Sequence, residues 1–179
     1  MDSRIELLLR VIDEAFDHKS WHGTNLRGAL RGLSIHELMW RPQPERHNVW
    51  EIALHAAYWK YTVRRRLLNE KRGSFDLKGS NWFLRPVDDS PHEKQWKSDL
   101  SLLLETHSSL RNAVANLDPE KLHRKAEGGT TTFLSLITGI AAHDHYHAGQ
   151  IQLLKRLYHS EVAKSSRSNG TRRKALRKD

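Results

Sequence analysis

The stretch Ile140-Ala141-Ala142-His143-Asp144-His145-Tyr146-His147-Ala148-Gly149-Gln150-Ile151 holds the residues whose spacing most directly suggests chemistry. Residues four apart lie one above the other on a helix, so His143 and His147 can aim two imidazoles at one point. They share a seam with Phe133, Leu136, Ile140, Gln150, Leu154 and Leu157. Imidazoles in an apolar seam are costly unless their nitrogens are satisfied. His55, with Ile52 and Trp59 as same-face neighbours, also points inward on a second helical stripe. Three neutral imidazoles meeting in a core can hold Zn, Ni, Mn or Fe and leave positions open for water or substrate. The competing explanation is that each is a satisfied core histidine, because a chain with 12 histidines produces such a pair by chance.

Other metal patterns fit less well. The chain lacks the inward Glu-x-x-His motifs of di-iron bundles and the His-Glu-x-x-His motif of zinc proteases. Asp144 and His145 fall off the seam, although Asp144 is a candidate acceptor that fixes a ring tautomer. His107 sits on a separate apolar stripe, where packing is the simpler role. Gln150, one turn past His147, either orients a ligand or serves helix packing. The six tryptophans read as core or loop-anchoring residues.

The elements that must position these side chains are helical. Ile5, Leu8, Ile12 and Phe16 form the first stripe. Gly23 interrupts it, Leu26 to Leu33 continues it, and Ser34 starts a short turn of helix that Arg41-Pro42-Gln43-Pro44 ends. A second long helix runs from about Asn48 to Glu70, with Val49, Ile52, Ala56, Trp59, Val63 and Leu67 inward. The connection from Arg72 to Ser90 carries Phe75, Trp82 and Phe83, which implies a packed loop. Ser90-Pro91-His92-Glu93 has the form of a capping box. The third helix follows, with Leu100, Leu103, His107, Leu110, Val114 and Leu117, until Asp118-Pro119-Glu120 breaks it. Thr130 to Thr132 can cap the last helix. Four long amphipathic segments without a strand pattern predict an all-α, four-helix bundle with a long connection between helices two and three, which permits a crossover.

Bulk properties bound the rest. The chain has 179 residues, enough for one domain with a single core, and a mean hydropathy of -0.72. It has no cysteine, which excludes a disulfide framework and fits a reducing compartment. No apolar run is long enough to span a bilayer, and the N-terminus lacks the form of a signal peptide, so a cytoplasmic protein is expected. The net charge of +9 is largely a property of residues 164–179, which carry +6. The expected division is a metal-binding bundle over 1–160 and a basic disordered tail over 161–179.

Trp21-His22-Gly23, Trp40-Arg41-Pro42, His55 in a Trp-rich helix, and the segment His143 to Ile151 together resemble the DinB/YfiT-like superfamily. The resemblance runs from about Ile5 to Tyr158 and leaves out the tail. It implies a four-helix bundle with one divalent metal ion on three histidines, carried over as His55, His143 and His147. It also suggests His22 for the pocket mouth, although a surface or capping role is the simpler one. Characterised members of that superfamily include metal-dependent enzymes using low-molecular-weight thiols, such as mycothiol-dependent maleylpyruvate isomerases and bacillithiol transferases. The implied function is therefore a metal-dependent enzyme that activates a low-molecular-weight thiol, for transfer or isomerisation, or water, on a small-molecule substrate. A non-catalytic metal-binding or stress-response module, a homodimer through exposed bundle faces, is the alternative. Nucleic-acid binding through the tail ranks third, because the tail lacks aromatic interleaving and a recognised motif.

Overall fold

The computed structural model describes residues 1–86 and 92–175, with side chains described to Ser165. The described residues form six α-helices, α1 (Ser3–Phe16), α2 (Leu26–Leu30), α3 (Ile35–Met39), α4 (Val49–Leu67), α5 (His92–Ala115) and α6 (Phe133–Ala175), with a short 3-10 turn at Pro119–Lys121. Among the described residues there is no strand, only an isolated bridge between Lys125 and Thr132. No helix there is long and apolar enough to cross a membrane.

Local signals set most helix starts. Asp2 caps α1 by accepting from the Arg4 N–H, and Asn25 caps α2 through the Gly28 N–H. Ser34 with Glu37, and Asn48 with Glu51, form reciprocal capping boxes at α3 and α4. Thr132 Oγ1 accepts from the Ser135 N–H at the start of α6. The capping box expected at Ser90-Pro91-His92-Glu93 falls partly outside the described residues. Gly23 has φ +114°, open to glycine and strained for other residues, and it turns the chain between α1 and α2.

The four long helices pack in a ring. α4 lies against α5 and α6, and α1 lies against the same two neighbours. Trp50, near the start of α4, donates to Asp99 of α5 (2.7 Å) and meets Trp96 edge-on. Tyr61, near the end of α4, shares a small cavity with Leu102 and Thr106. α4 and α5 therefore run in the same direction, and the long connection is a crossover that must travel back along α4. Its contacts record the journey. The Gly73 and Ser74 N–H groups donate to the Tyr61 hydroxyl (3.2 and 3.3 Å), and Phe75 packs on Tyr58. The Asn81 carbonyl meets His55, and the Arg85 N–H donates to Glu51 (3.1 Å).

This docking explains why α4 is buried on nearly every side, including Trp50, Leu54, Tyr58 and Tyr61, rather than on one stripe. Two features depart from the sequence expectation. Trp21 is fully exposed, not an anchor, because the turn around Gly23 carries it away from the bundle. The backbone of α6 stays helical to Ala175, beyond the end of its apolar seam. Residues 159–165 are exposed, with His159 Nε2 held 3.1 Å from Glu37.

A layer through the middle draws on all four long helices. Lys60 of α4 and Asp144 of α6 form an ion pair, each side chain 1% exposed. The Lys60 ammonium also lies 4.7 Å over the Phe16 ring of α1, and Phe16 stacks on His107 of α5 at 3.7 Å. Burial pulls the Lys60 ammonium down and pushes the Asp144 carboxyl up, and each partner's charge opposes that shift. Removing one partner strands the other charge. Lys60→Met should therefore cost about 3–5 kcal/mol in urea unfolding, whereas Lys60→Met with Asp144→Leu should recover most of that loss. Equal losses in the single and double variants would show that the pair contributes net stability.

Candidate metal centre

α4 and α6 run in opposite directions, and their contact brings the three sequence-predicted histidines together. His55 Nε2 lies 3.1 Å from His143 Nε2, and His147 Nε2 lies 3.0 Å from the same atom. Among the described residues these three form the one cluster of His, Asp or Glu side chains close enough to hold a metal ion, with ligand atoms within 4.8 Å of one another. His55 and His147 are buried and His143 is partly buried.

The outer nitrogens indicate which way the lone pairs point. His55 Nδ1 faces the Asn81 carbonyl at 2.9 Å, and His147 Nδ1 faces Gln150 Oε1 at 2.6 Å. Both partners are acceptors, so each Nδ1 carries the ring proton and donates it. Each Nε2 then presents a lone pair towards His143 Nε2. A proton on His143 Nε2 can satisfy one of these neighbours well, but not both. With that proton on Nδ1 instead, three lone pairs converge, and a cation is what such a point attracts. His143 Nδ1 is buried and has no hydrogen-bond partner among the described residues. Two imidazole nitrogens about 2.0–2.1 Å from one ion are separated by about 2.9–3.4 Å at right-angled to tetrahedral angles. The two separations from His143 Nε2 fall in that range, and the donor set fits a divalent ion.

Burial also keeps the rings neutral, as ligation requires. Desolvation is the largest cause in each case. It holds His143 at about 3, helped by its two histidine neighbours, and His147 at about 4; His55 is also lowered.

Around the trio the return segment supplies parts that no motif announces. Trp82 stacks on His55 (3.8 Å, 12°), and His47 stacks on Trp82 at 3.6 Å and 4°. Two rings this close to one indole centre must occupy its opposite faces. His47 Nδ1 is in turn 3.1 Å from Glu51, which is buried and paired with Arg41. Trp59 donates to Asn81 Oδ1 at 2.9 Å, fixing the residue whose carbonyl holds His55. Gln150 Nε2 donates to the Tyr146 hydroxyl at 2.9 Å, which extends the chain from His147 to the cleft rim. The trio forms one side of a cleft of about 840 Å³, within the range of small-molecule sites.

The other sequence candidates sort clearly. Gln150 touches His147 directly. Asp144 does not fix a ring tautomer; it pairs with Lys60 on the far side of α6. His145 turns away to meet His22 edge-on at 4.0 Å, and neither lines the cleft. His107 is buried against Phe16, away from the cleft, and burial holds it at about 2. Asn81 and Trp82 were missed as site parts because a backbone carbonyl has no side-chain signature. The aromatic content of the connection signals packing without naming its target.

A family model described as the DinB superfamily matches residues 19–151. No match is found among curated proteins or among solved structures.

Two outcomes follow from the geometry. His143→Ala should remove most affinity for Zn or Ni in metal-content and competition measurements, while His145→Ala should leave it nearly intact. For metal-free protein, the three lowered histidine values mean that the unfolded chain binds protons first on acidification. The stability conferred by neutral rings is complete above the unfolded value of about 6.5 and is lost as pH falls towards 4 and 3. Melting temperature should fall across that interval. A flat profile would show that the rings are solvated in solution.

Proposed function

We propose that this chain, which belongs to the DinB superfamily, is a metal-dependent enzyme acting on a small molecule, with His55, His143 and His147 as the ligands of one divalent ion. The observation that supports this best is the pair of outer hydrogen bonds, from His55 to Asn81 and from His147 to Gln150, which turns two Nε2 lone pairs towards His143 beside an open cleft. A structural metal site is normally closed by protein ligands, whereas a reactive one keeps positions open. Three ligands from the protein leave such positions on the cleft side.

A divalent ion held there would lower the pKa of a thiol or water molecule that reaches it. The protein's own groups do the remaining work. Asn81 and Gln150 hold two ring protons outward, and Trp59 and Trp82 shield the histidines from bulk water. Tyr146 accepts from Gln150 through its oxygen, so its own hydroxyl proton is available to a ligand in the cleft. With no cysteine in the chain, a reacting thiol must arrive as a small molecule. We assign the nucleophile as such a thiol, in a transfer or isomerisation reaction in the cytoplasm.

Elemental analysis of protein purified without a nickel column should find about one divalent ion per chain, and cobalt reconstitution should restore that occupancy. Adding glutathione, mycothiol or bacillithiol to the cobalt form should produce a sulfur-to-metal charge-transfer band with the correct thiol only. Full metal occupancy without any band, combined with metal-dependent hydrolysis of an ester or amide, would replace the thiol by water. Full occupancy without turnover on any substrate would favour a non-catalytic module, and failure to bind metal would remove the centre.

A further inference from the structure

We infer that the ligand of this cleft is an amphiphilic carboxylate: an apolar body lying along α6, with an anionic end paired to Arg46. The inference builds on the small-molecule reading above but draws on a different part of the cleft.

The lining residues divide into three groups. The histidine trio forms one, and α6 contributes an apolar wall of Leu153, Leu154 and Leu157, extended by Ile52 of α4. Leu153 is 57% exposed and Leu157 is 43% exposed, so the outer half of this wall is uncovered, while Leu154 and Ile52 are buried at its base. Covering apolar surface of this kind is favourable at about 25 cal/mol per Å². The third group is the segment just before α4, which contributes Gln43, Arg46 and His47.

Charge in the cleft has one sign. No Asp or Glu lines it, and Arg46 is its one permanently charged side chain. The arginines beside the start of α4 are already engaged: Arg41 with Glu51, and Arg85 with Asp99. Among the described residues the Arg46 guanidinium has neither an ion pair nor a hydrogen-bond acceptor; its backbone carbonyl alone is used, by Arg41. Glu45, its neighbour in the chain, is exposed and does not line the cleft. The nearest buried acid, Glu51, is occupied by Arg41, His47 and the Arg85 N–H. The guanidinium fork therefore remains for a ligand, and a carboxylate matches it bidentately. Arg46 is exposed at the rim, so water satisfies the fork before a ligand binds; an anionic ligand gains the pair, a neutral one gains nothing from it, and a cationic one is repelled.

The test is calorimetric titration of the full-length chain, metal-free and zinc-loaded, with octanoate and with octanamide, which share chain length and differ in charge. Octanoate should bind about tenfold more tightly in both forms, the preference expected of a charge-assisted pair. Arg46→Gln should abolish the preference while leaving octanamide affinity and metal content unchanged, and Arg46→Lys should retain part of it. Leu157→Asp should weaken both ligands. Three results overturn the inference: octanoate fails to bind, the two ligands bind alike, or the preference survives Arg46→Gln because the carboxylate sits on the metal. A chain that binds no metal yet prefers octanoate through Arg46 would sustain the inference and remove the metal centre, so the two failures are distinguishable.

Discussion

The buried pair of Lys60 and Asp144 sets the register on which the site depends. Lys60 follows His55 by five residues on α4, and Asp144 follows His143 directly on α6. Sliding α4 along α6 by one turn, about 5.4 Å, would separate both the ion pair and the two imidazoles. Apolar side chains tolerate such slips more readily, because one aliphatic contact can replace another. An unpaired charge in the interior has no comparable substitute. Phe16 and His107 close over the same layer from α1 and α5, so the register of two helices is shared by four.

A second constraint comes from direction. Because α4 and α5 run in parallel, their connection has to retrace α4, and it does so in contact with it. The segment is anchored near its end by Arg85, which pairs with Asp99 and reaches Glu51 through its N–H; Asn48 Nδ2 in turn donates to the Arg85 carbonyl (2.9 Å). Once both ends are tied, Asn81 and Trp82 fall opposite His55. The third ring of the site is thus oriented by a loop, while the other two share a rigid helix. The sandwich of His47, Trp82 and His55 adds a flat, shielded wall to one side of the cleft.

The sequence conveyed what depends on periodicity and short-range chemistry. The i, i+4 spacing of His143 and His147, the inward place of His55, the helix starts at Ser34 and Asn48 and the break at Gly23 are local patterns, and the structure displays them. What it hid depends on long-range contacts. Lys60 reads as an ordinary surface lysine until α6 brings Asp144 against it. Asp144 looks like a histidine partner because it is adjacent in the chain, yet adjacency on a helix turns it about 100° away from His143. The all-round burial of α4 was equally illegible, since Tyr58 and Tyr61 are covered by a segment with no periodicity of its own. Trp21 misled for the opposite reason: a large apolar side chain is a statistical sign of burial, and here the turn carries it into solvent.

Asn81 adopts φ +67°, in the left-handed region, while its carbonyl accepts from His55 and its side-chain oxygen accepts from Trp59. These demands intersect on a very small alphabet. Glycine accepts the dihedral at no steric cost but removes the acceptor for the indole. Aspartate retains an acceptor but adds a charge beside the candidate metal centre, and β-branched residues resist the backbone conformation. Serine and threonine carry an oxygen without the same ease at positive φ. Neutral drift at this position should therefore be almost closed, although the residue lies in a loop and takes no part in a recognisable motif. A saturation library would register it as one of the least permissive sites in the connection, comparable to His55, which it supports.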